Sequence, residues 1–395
     1  MKDNFGTRSV WAGEEDSFPE GSTQVPIYQT VTYAYDDLDK WYDVAQGRQE
    51  GHIYSRNTNP TVKVFEEKLK DLEGSEAATS FATGMAAISN TLFTFLKPGD
   101  RVVSIKDSYG GTSKLFLDFL PNINVDVCLV ETGNHELMEQ EIAKGCQLVY
   151  LETPTNPTLK LVDIERLCAA ARKKNALSVV DNTFATPINQ NPLALGADLV
   201  LHSATKFLGG HSDAMGGVLC GSEALVEKVF GYREITGATL HPNSAYLLIR
   251  GIKTLELRIQ RHNDNAKQVA NFLDKDERVS AVFYPGLEKH VHHDVARKQM
   301  RGFGGMLSFE LPGGYDAVKK FLPKLKHAHL AAHLGSVDTT AGPPKVTSHV
   351  ENTPEERQQL GIPEGLIRYS AGIENAEDLI ADLDQALGAM SDGNG

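Results

Sequence analysis

The chain has 395 residues, with 52 Asp and Glu against 39 Lys and Arg and a formal net charge of −13. At ~100–200 residues per domain this length implies two or three domains with a sizeable core, and the acidic balance without any Lys/Arg run argues against a nucleic-acid partner. No apolar run approaches the ~18 residues of a membrane span, and the N-terminal MKDNFGTRSVWAGEEDSF lacks the apolar core of a secretory signal, so a cytoplasmic protein is expected.

Residues 1–59 are rich in Thr, Tyr, Asp and Gln, are short of helical periodicity, and read as an extended arm with no core of its own. The pattern changes at Asn59-Pro60. Asn59 suits a helix cap, Pro60 the first helical position, and Val62, Phe65, Leu69 and Leu72 share a face until Gly74 stops the helix. Alternating units follow: AATSFA as a strand, TGMAAISNTLFTFL as a helix, DRVVSI as a strand, a helix through Lys114 to Leu120, and VDVCLV and QLVYLE as strands. A helix from Ile164 to Lys174 and the strands LSVVD and ADLVLHS continue the series. Continuous apolar strands separated by helices imply βαβ crossovers and a mainly parallel sheet buried on both faces, so residues 60–250 are assigned to an α/β domain. Beyond Ala245, AYLLIRGIKTLELRIQRHNDNAKQVANFL reads as one long helical stretch, followed by short strands in GGMLSFEL and LIRYSAG. A last helix from Ala376 to Leu387, capped by Asn375, puts Leu379, Ile380, Leu383 and Leu387 on one face. Residues 251–390 are expected to form a smaller α+β domain, and 391–395 a disordered tail.

Open parallel sheets bind ligands beyond the carboxyl ends of their strands, so the polar residues that follow each apolar run are the ones to test. After AATSFA, Thr83-Gly84-Met85 opens a helix whose free N–H groups suit a phosphate. Asp181 follows SVV, Ser203, Thr205 and Lys206 follow VLH, and Tyr109 follows SIKDS. A phosphate cradle, a strand-end carboxylate and a lysine flanked by hydroxyls are together what pyridoxal phosphate needs. The lysine forms a Schiff base and moves protons, the carboxylate keeps the pyridine nitrogen protonated, and an aromatic side chain stacks on the ring. Competing motifs are absent: there is no GxGxxG, no GxxxxGK[ST] and no GxSxG. In NHELMEQ, Glu139 stands where a zinc protease needs a second His, and His290-Val291-His292-His293 reads as a solvated loop or helix start rather than a metal site. Cys128, Cys146, Cys168 and Cys220 form no CxxC pair and read as small buried hydrophobes.

With these residues in place, the chain resembles a known family. DNTFATP around Asp181, HSATKFLGGHSD around Lys206, YSRNTNPT at 54–61, ETPTNPTLK at 152–160 and YGGT at 109–112 are similar to the PLP-dependent transsulfuration enzymes. These are cystathionine γ-synthase, cystathionine γ-lyase, methionine γ-lyase and O-acetylhomoserine sulfhydrylase. The resemblance implies fold type I, a cytoplasmic homotetramer built from catalytic dimers, and chemistry at the γ-carbon of an amino acid. Carried over residue by residue, it makes Lys206 the Schiff-base lysine and Asp181 the partner of the pyridine nitrogen. Gly84, Met85, Ser203 and Thr205 hold the phosphate, and Tyr109 stacks on the ring and serves as acid or base at the leaving group. Tyr54 and Arg56 reach the phosphate of a neighbouring subunit. Arg368 clamps the substrate carboxylate, and Asn156 bonds the cofactor hydroxyl or the substrate. No metal is implied.

The chain departs from that family at several positions. Gly111 stands where methionine γ-lyases carry a reactive cysteine, and Arg233-Glu234 where they carry Lys-Asp. Ala332-His333 replaces a Glu-Ser pair of cystathionine γ-lyases, which puts His333 beside the substrate carboxylate, and Lys114 replaces an Arg of several relatives. These departures favour γ-replacement on an O-activated homoserine, with γ-elimination from cystathionine or methionine as the alternative. A catalytically silent binding protein is the more remote reading.

Overall fold

The computed structural model describes residues 4–15, 18–350 and 352–391. The helix expected after Asn59 runs Pro60–Glu73. Asn59 caps it by accepting from the N–H groups of Thr61 and Val62, and Gly74 ends it at φ 70°. Val62, Phe65, Leu69 and Leu72 are buried and pack against Val200, Val218 and Leu248 in one core cluster. The segment before it is less extended than its composition implies. Phe5–Trp11 and Leu38–Ala45 are helical, each too short to show periodicity. The first is tied down by a buried cation, because Lys68 Nζ lies 2.7 Å from Glu14 and donates to the carbonyls of Val10 and Ala12.

Seven strands form the large sheet: β1 (Ala77–Phe81), β2 (Arg101–Ile105), β3 (Asp126–Val130), β4 (Leu148–Glu152), β5 (Leu177–Asp181), β6 (Leu199–Ser203) and β7 (Gly217–Gly221). Their order is β1-β7-β6-β5-β4-β2-β3, and only β7 runs against the others. The expected mainly parallel α/β sheet is therefore present, and β1, β4, β5 and β6 deliver their carboxyl ends to one edge. β7 was not expected, because GVLCG is short and glycine-bounded. Gly217 is required there, since a Cβ would overlap the Thr83 carbonyl at the end of β1.

A second sheet contains β8 (Ala281–Phe283), β9 (Met306–Glu310), β10 (His329–Leu330), β11 (Thr340–Gly342) and β12 (Leu366–Ser370), in the order β10-β11-β12-β9-β8. All its pairs are antiparallel except β10 with β11. The long helical stretch before it is two helices, Pro242–Ile252 and Leu255–Leu273, divided at Lys253-Thr254. The final helix is Ala376–Ser391, with Leu379, Leu383 and Leu387 buried and Ile380 packed beside them. Ser391 thus belongs to the helix rather than to a tail, and residues 392–395 lie outside the described residues. Cys146, Cys168 and Cys220 are buried, Cys128 is half-buried, and all four are free. No helix among the described residues is long and apolar enough to cross a membrane.

Replacing Gly217 with Ala forces the Thr83 backbone to move. The expected cost is about 1–3 kcal/mol in chemical denaturation, the range for overpacking a well-filled site; a variant as stable as the parent would show that the approach of β7 to Thr83 is loose.

Candidate active site

The carboxyl edge of the large sheet opens into a cleft of about 210 Å³. Thr83 caps the helix Gly84–Phe95 by accepting from Ala86 N–H. At its first position, a Cβ on Gly84 would stand 2.6 Å from Ser203 Cβ. Glycine therefore leaves the helix N-terminus open against Ser203, with Thr205 and Met85 beside it in the cleft wall. Free N–H groups beside two hydroxyls fit a phosphate dianion. The Thr205 hydroxyl is fixed by Gly216, whose N–H donates to it at 3.1 Å.

Lys206 lies in the turn that follows β6. It forms no ion pair among the described residues, and burial, with the Arg368 charge adding to it, pushes its pKa down to about 8. Asp181 ends β5 in register with Glu152, which ends β4. Asp181 accepts from Thr183 N–H at 3.0 Å and from the Tyr150 hydroxyl at 3.4 Å. Burial pushes both carboxyls up, and the Asp181 charge helps carry Glu152 well above the usual carboxylate range. Glu152 Oε2 accepts from Tyr109 N–H at 2.8 Å. Glu152 was not singled out in the sequence, although the rule that selects Asp181 applies to it equally: it is the polar residue that ends QLVYLE. The Tyr109 ring is exposed at the cleft, as a group that meets a ligand must be.

Arg368 is carried by β12 and is buried, which pushes its pKa down to about 10. Its Nη1 donates to Asn156 Oδ1 at 3.2 Å and its Nη2 to the His333 carbonyl at 3.1 Å. Arg368 and Asn156 therefore meet at the cleft. His333 is not among the cleft-lining residues; it lines a second cavity with Thr205, Asp213 and His241, while its neighbours Ala332 and Leu334 line the cleft. Burial and the nearby Lys206 charge push His333 down to about 4. Tyr54 and Arg56 also lie away from the cleft of their own chain, both exposed, with the guanidinium 5.4 Å from the tyrosine ring centroid. Arg56 lines a different cavity, with Glu66 and Arg233. A Cβ on Gly111 would stand 2.8 Å from Met85 Sδ and 3.0 Å from Tyr109 Cε1, so Met85 occupies the space that a side chain there would need.

The alternative motifs resolve structurally. His290, His292 and His293 are half-buried rather than solvated; Leu161 N–H donates to His292 Nδ1 at 3.0 Å, and His293 Nδ1 lies 2.8 Å from the Pro285 carbonyl. Glu139 pairs with Arg166 at 2.7 Å. No group of metal-ligating side chains is found among the described residues.

A lysine at pKa about 8 is roughly one-quarter free amine at pH 7.5, against about one-thousandth at the usual 10.4. The rate at which cofactor-free protein takes up pyridoxal phosphate is therefore expected to rise with pH to a midpoint near 8 and then level off. A rate still climbing at pH 10 would mean an ordinary lysine.

The sequence profile of the family described as Cys/Met metabolism PLP-dependent enzyme matches residues 6–388. An L-methionine gamma-lyase of Fusobacterium nucleatum subsp. polymorphum is 44% identical over 98% of both chains. A cystathionine beta-lyase of Lactococcus lactis subsp. cremoris is 42% identical over 96% of this chain and 98% of its own. The crystal structure of cystathionine gamma synthase from Xanthomonas oryzae pv. oryzae, in complex with aminoacrylate and cysteine, superposes with a TM-score of 0.94 at 36% identity, covering 99% of this chain and 100% of that one. The Gly84 cradle, Asp181 and Lys206 meet at one sheet edge in the fold type I arrangement that these matches share, and the chain belongs to the Cys/Met metabolism PLP-dependent enzymes, with pyridoxal phosphate as its cofactor.

Proposed function

We propose that this enzyme is a lyase that eliminates the γ-substituent of a sulfur amino acid, with methionine preferred to cystathionine, to give a thiol, 2-oxobutyrate and ammonia. The observation that carries this reading is the set of charges in the cleft. Lys206, Asp181, Glu152 and Arg368 are its charged side chains; Met85, Ile88, Pro154, Phe184, Ala332 and Leu334 are apolar, and the rest of the wall is mainly uncharged hydroxyl and amide side chains such as Thr347 and Ser348. The cofactor engages Lys206 and Asp181, and Glu152 is tied to Tyr109. Arg368 remains for one carboxylate. A thioether with an uncharged end fits that inventory, whereas the distal ammonium and carboxylate of cystathionine would find no charged partner among the cleft residues. The lyase names of the relatives support elimination over the replacement reaction that the sequence departures favoured.

When bound, pyridoxal phosphate supplies the electron sink that makes the α- and β-protons of an amino acid labile. Gly84 and Met85 N–H and the Ser203 and Thr205 hydroxyls hold its phosphate. Asp181 keeps a proton on the ring nitrogen, because its buried carboxylate gains most from a cationic partner. Lys206 Nζ, whose lowered pKa leaves a substantial fraction as free amine near pH 8, takes the α-proton and returns protons to the substrate skeleton. Arg368, steadied by Asn156 and the His333 carbonyl, fixes the substrate carboxylate bidentately. Tyr109 covers the ring, and its hydroxyl gives a proton to the departing sulfur. Tyr54 and Arg56 complete the phosphate site of a neighbouring subunit, which gives the 1–59 arm its purpose in a cytoplasmic homotetramer. The 60–250 and 251–390 domains then supply the cofactor edge and the substrate clamp.

Incubation with methionine, cystathionine, O-acetylhomoserine and O-succinylhomoserine, with and without cysteine or sulfide, is expected to give 2-oxobutyrate and a thiol from methionine with no added nucleophile. Exclusive formation of replacement products would overturn the lyase assignment. Lys206→Ala is expected to lose the visible absorbance of the lysine-bound cofactor. Arg368→Lys, which cannot bind the carboxylate bidentately, is expected to raise KM about ten-fold or more, the value of one charge-assisted hydrogen bond.

A further inference from the structure

Arg258 is a buried cation with no carboxylate partner among the described residues. Burial pushes its pKa down to about 10. Such a group is expensive to bury, so what it binds must be worth holding. Its guanidinium is spent on backbone carbonyls around the turn that carries Lys206. Nη1 donates to Phe207 O at 2.7 Å, and Nη2 to Leu208 O at 3.3 Å and to Gly251 O at 2.7 Å. Nε donates to Thr254 Oγ1 at 3.1 Å. The Phe207 and Leu208 carbonyls directly follow Lys206 and accept no other hydrogen bond among the described residues.

The turn itself is built to admit this side chain. Gly210 has φ +73°, a region that favours glycine, and a Cβ there would overlap the guanidinium. A Cβ on Gly251 would overlap the Gly209 carbonyl, so the preceding helix also lies against bare backbone. Gly210 N–H closes the turn onto Lys206 O at 2.8 Å, and Val337 N–H donates to Gly210 O at 2.9 Å. One turn further along the helix of Arg258, the His262 ring stands edge-on to Phe207 with centroids 5.2 Å apart, and its Nδ1 lies 2.7 Å from Ala371 O, just past the strand of Arg368. A single helix face therefore grips both the turn after Lys206 and the end of the strand that bears Arg368.

We propose that Arg258 is a positioning residue for Lys206: by occupying the carbonyls of Phe207, Leu208 and Gly251, its guanidinium fixes the direction in which the Lys206 amine enters the cleft. This rests on the assignment of Lys206 as the cofactor lysine. The test uses full-length protein carrying Arg258→Met, Arg258→Lys or Thr254→Val. It reads the affinity for pyridoxal phosphate from the visible band of the lysine-bound cofactor, kcat and KM on methionine, and thermal unfolding. Arg258→Met is expected to weaken cofactor binding and lower kcat by about ten-fold or more each, the order set by one charge-assisted hydrogen bond, while KM changes less than about two-fold. Arg258→Lys recovers part of both losses, and Thr254→Val shows a smaller change in the same direction. Folded Arg258→Met with parental cofactor affinity and kcat overturns the proposal. If Arg258→Met does not fold, parental values in both Arg258→Lys and Thr254→Val overturn it. The cofactor readout holds whichever substrate is preferred. A wild type without the visible band overturns the Lys206 assignment, and this proposal with it, whereas a banded wild type with unaffected Arg258 variants overturns only the role of Arg258.

Discussion

Lys206 is half-buried, with no carboxylate partner among the described residues and with Arg368 adding to the positive charge, and its pKa falls to about 8 as a consequence. Much of the site is organised around that environment. A carboxylate paired with Nζ would restore the cation and remove the nucleophile, yet a carboxylate is needed close by for the ring nitrogen. The sheet separates the two demands. Asp181 ends β5, where Thr183 and Tyr150 hold it, while Lys206 lies beyond the end of the adjacent β6, in a turn whose carbonyls are occupied by Arg258. Strand order thus decides which charges meet.

The Glu152–Asp181 pair extends the same logic. Two buried carboxyls in register on adjacent strands resist ionising together, and under the proposed role of Asp181 a cationic ring nitrogen beside it would favour the anion there. Glu152 can keep its proton and still accept the Tyr109 N–H, so the residue over the ring is anchored without a second negative charge in the cleft. Burial of Glu152 is therefore compatible with burial of Asp181 because the two have different tasks.

Local signals in the sequence that did not depend on distant partners translated directly into structure. The Asn59 cap, the Gly74 stop and the apolar face between them are all present, and so are the strand ends that carry Asp181 and Lys206. What escaped depended on tertiary context. β7 is specified by close approach to Thr83 rather than by an apolar run. The helix His135–Ala143 was obscured by a motif search, although its Glu139 serves an ion pair. The division of the long helix at Thr254 sits where Arg258 and the Gly209 carbonyl crowd the backbone. His333 was expected beside the substrate because it replaces a Ser of the resembling family; its carbonyl accepts from Arg368, while Ala332 and Leu334 line the cleft and His333 lines the other cavity.

The departures at Gly111 and Ala332 act together on the leaving-group side. A side chain at 111 would require the thioether end of Met85, a flexible group, to shift, so the two positions are packed against each other. Met85 is flexible and polarisable, well suited to lie against a thioether, and Ala332 adds no charge to that wall. In the proposed reading, discrimination on this side comes from the lack of a charged partner, which costs a charged substituent its hydration, while Arg368 at the other end holds the amino-acid carboxylate. Under the proposed lyase reading, a cleft with one anion clamp and no second charged partner favours a short, neutral sulfur side chain.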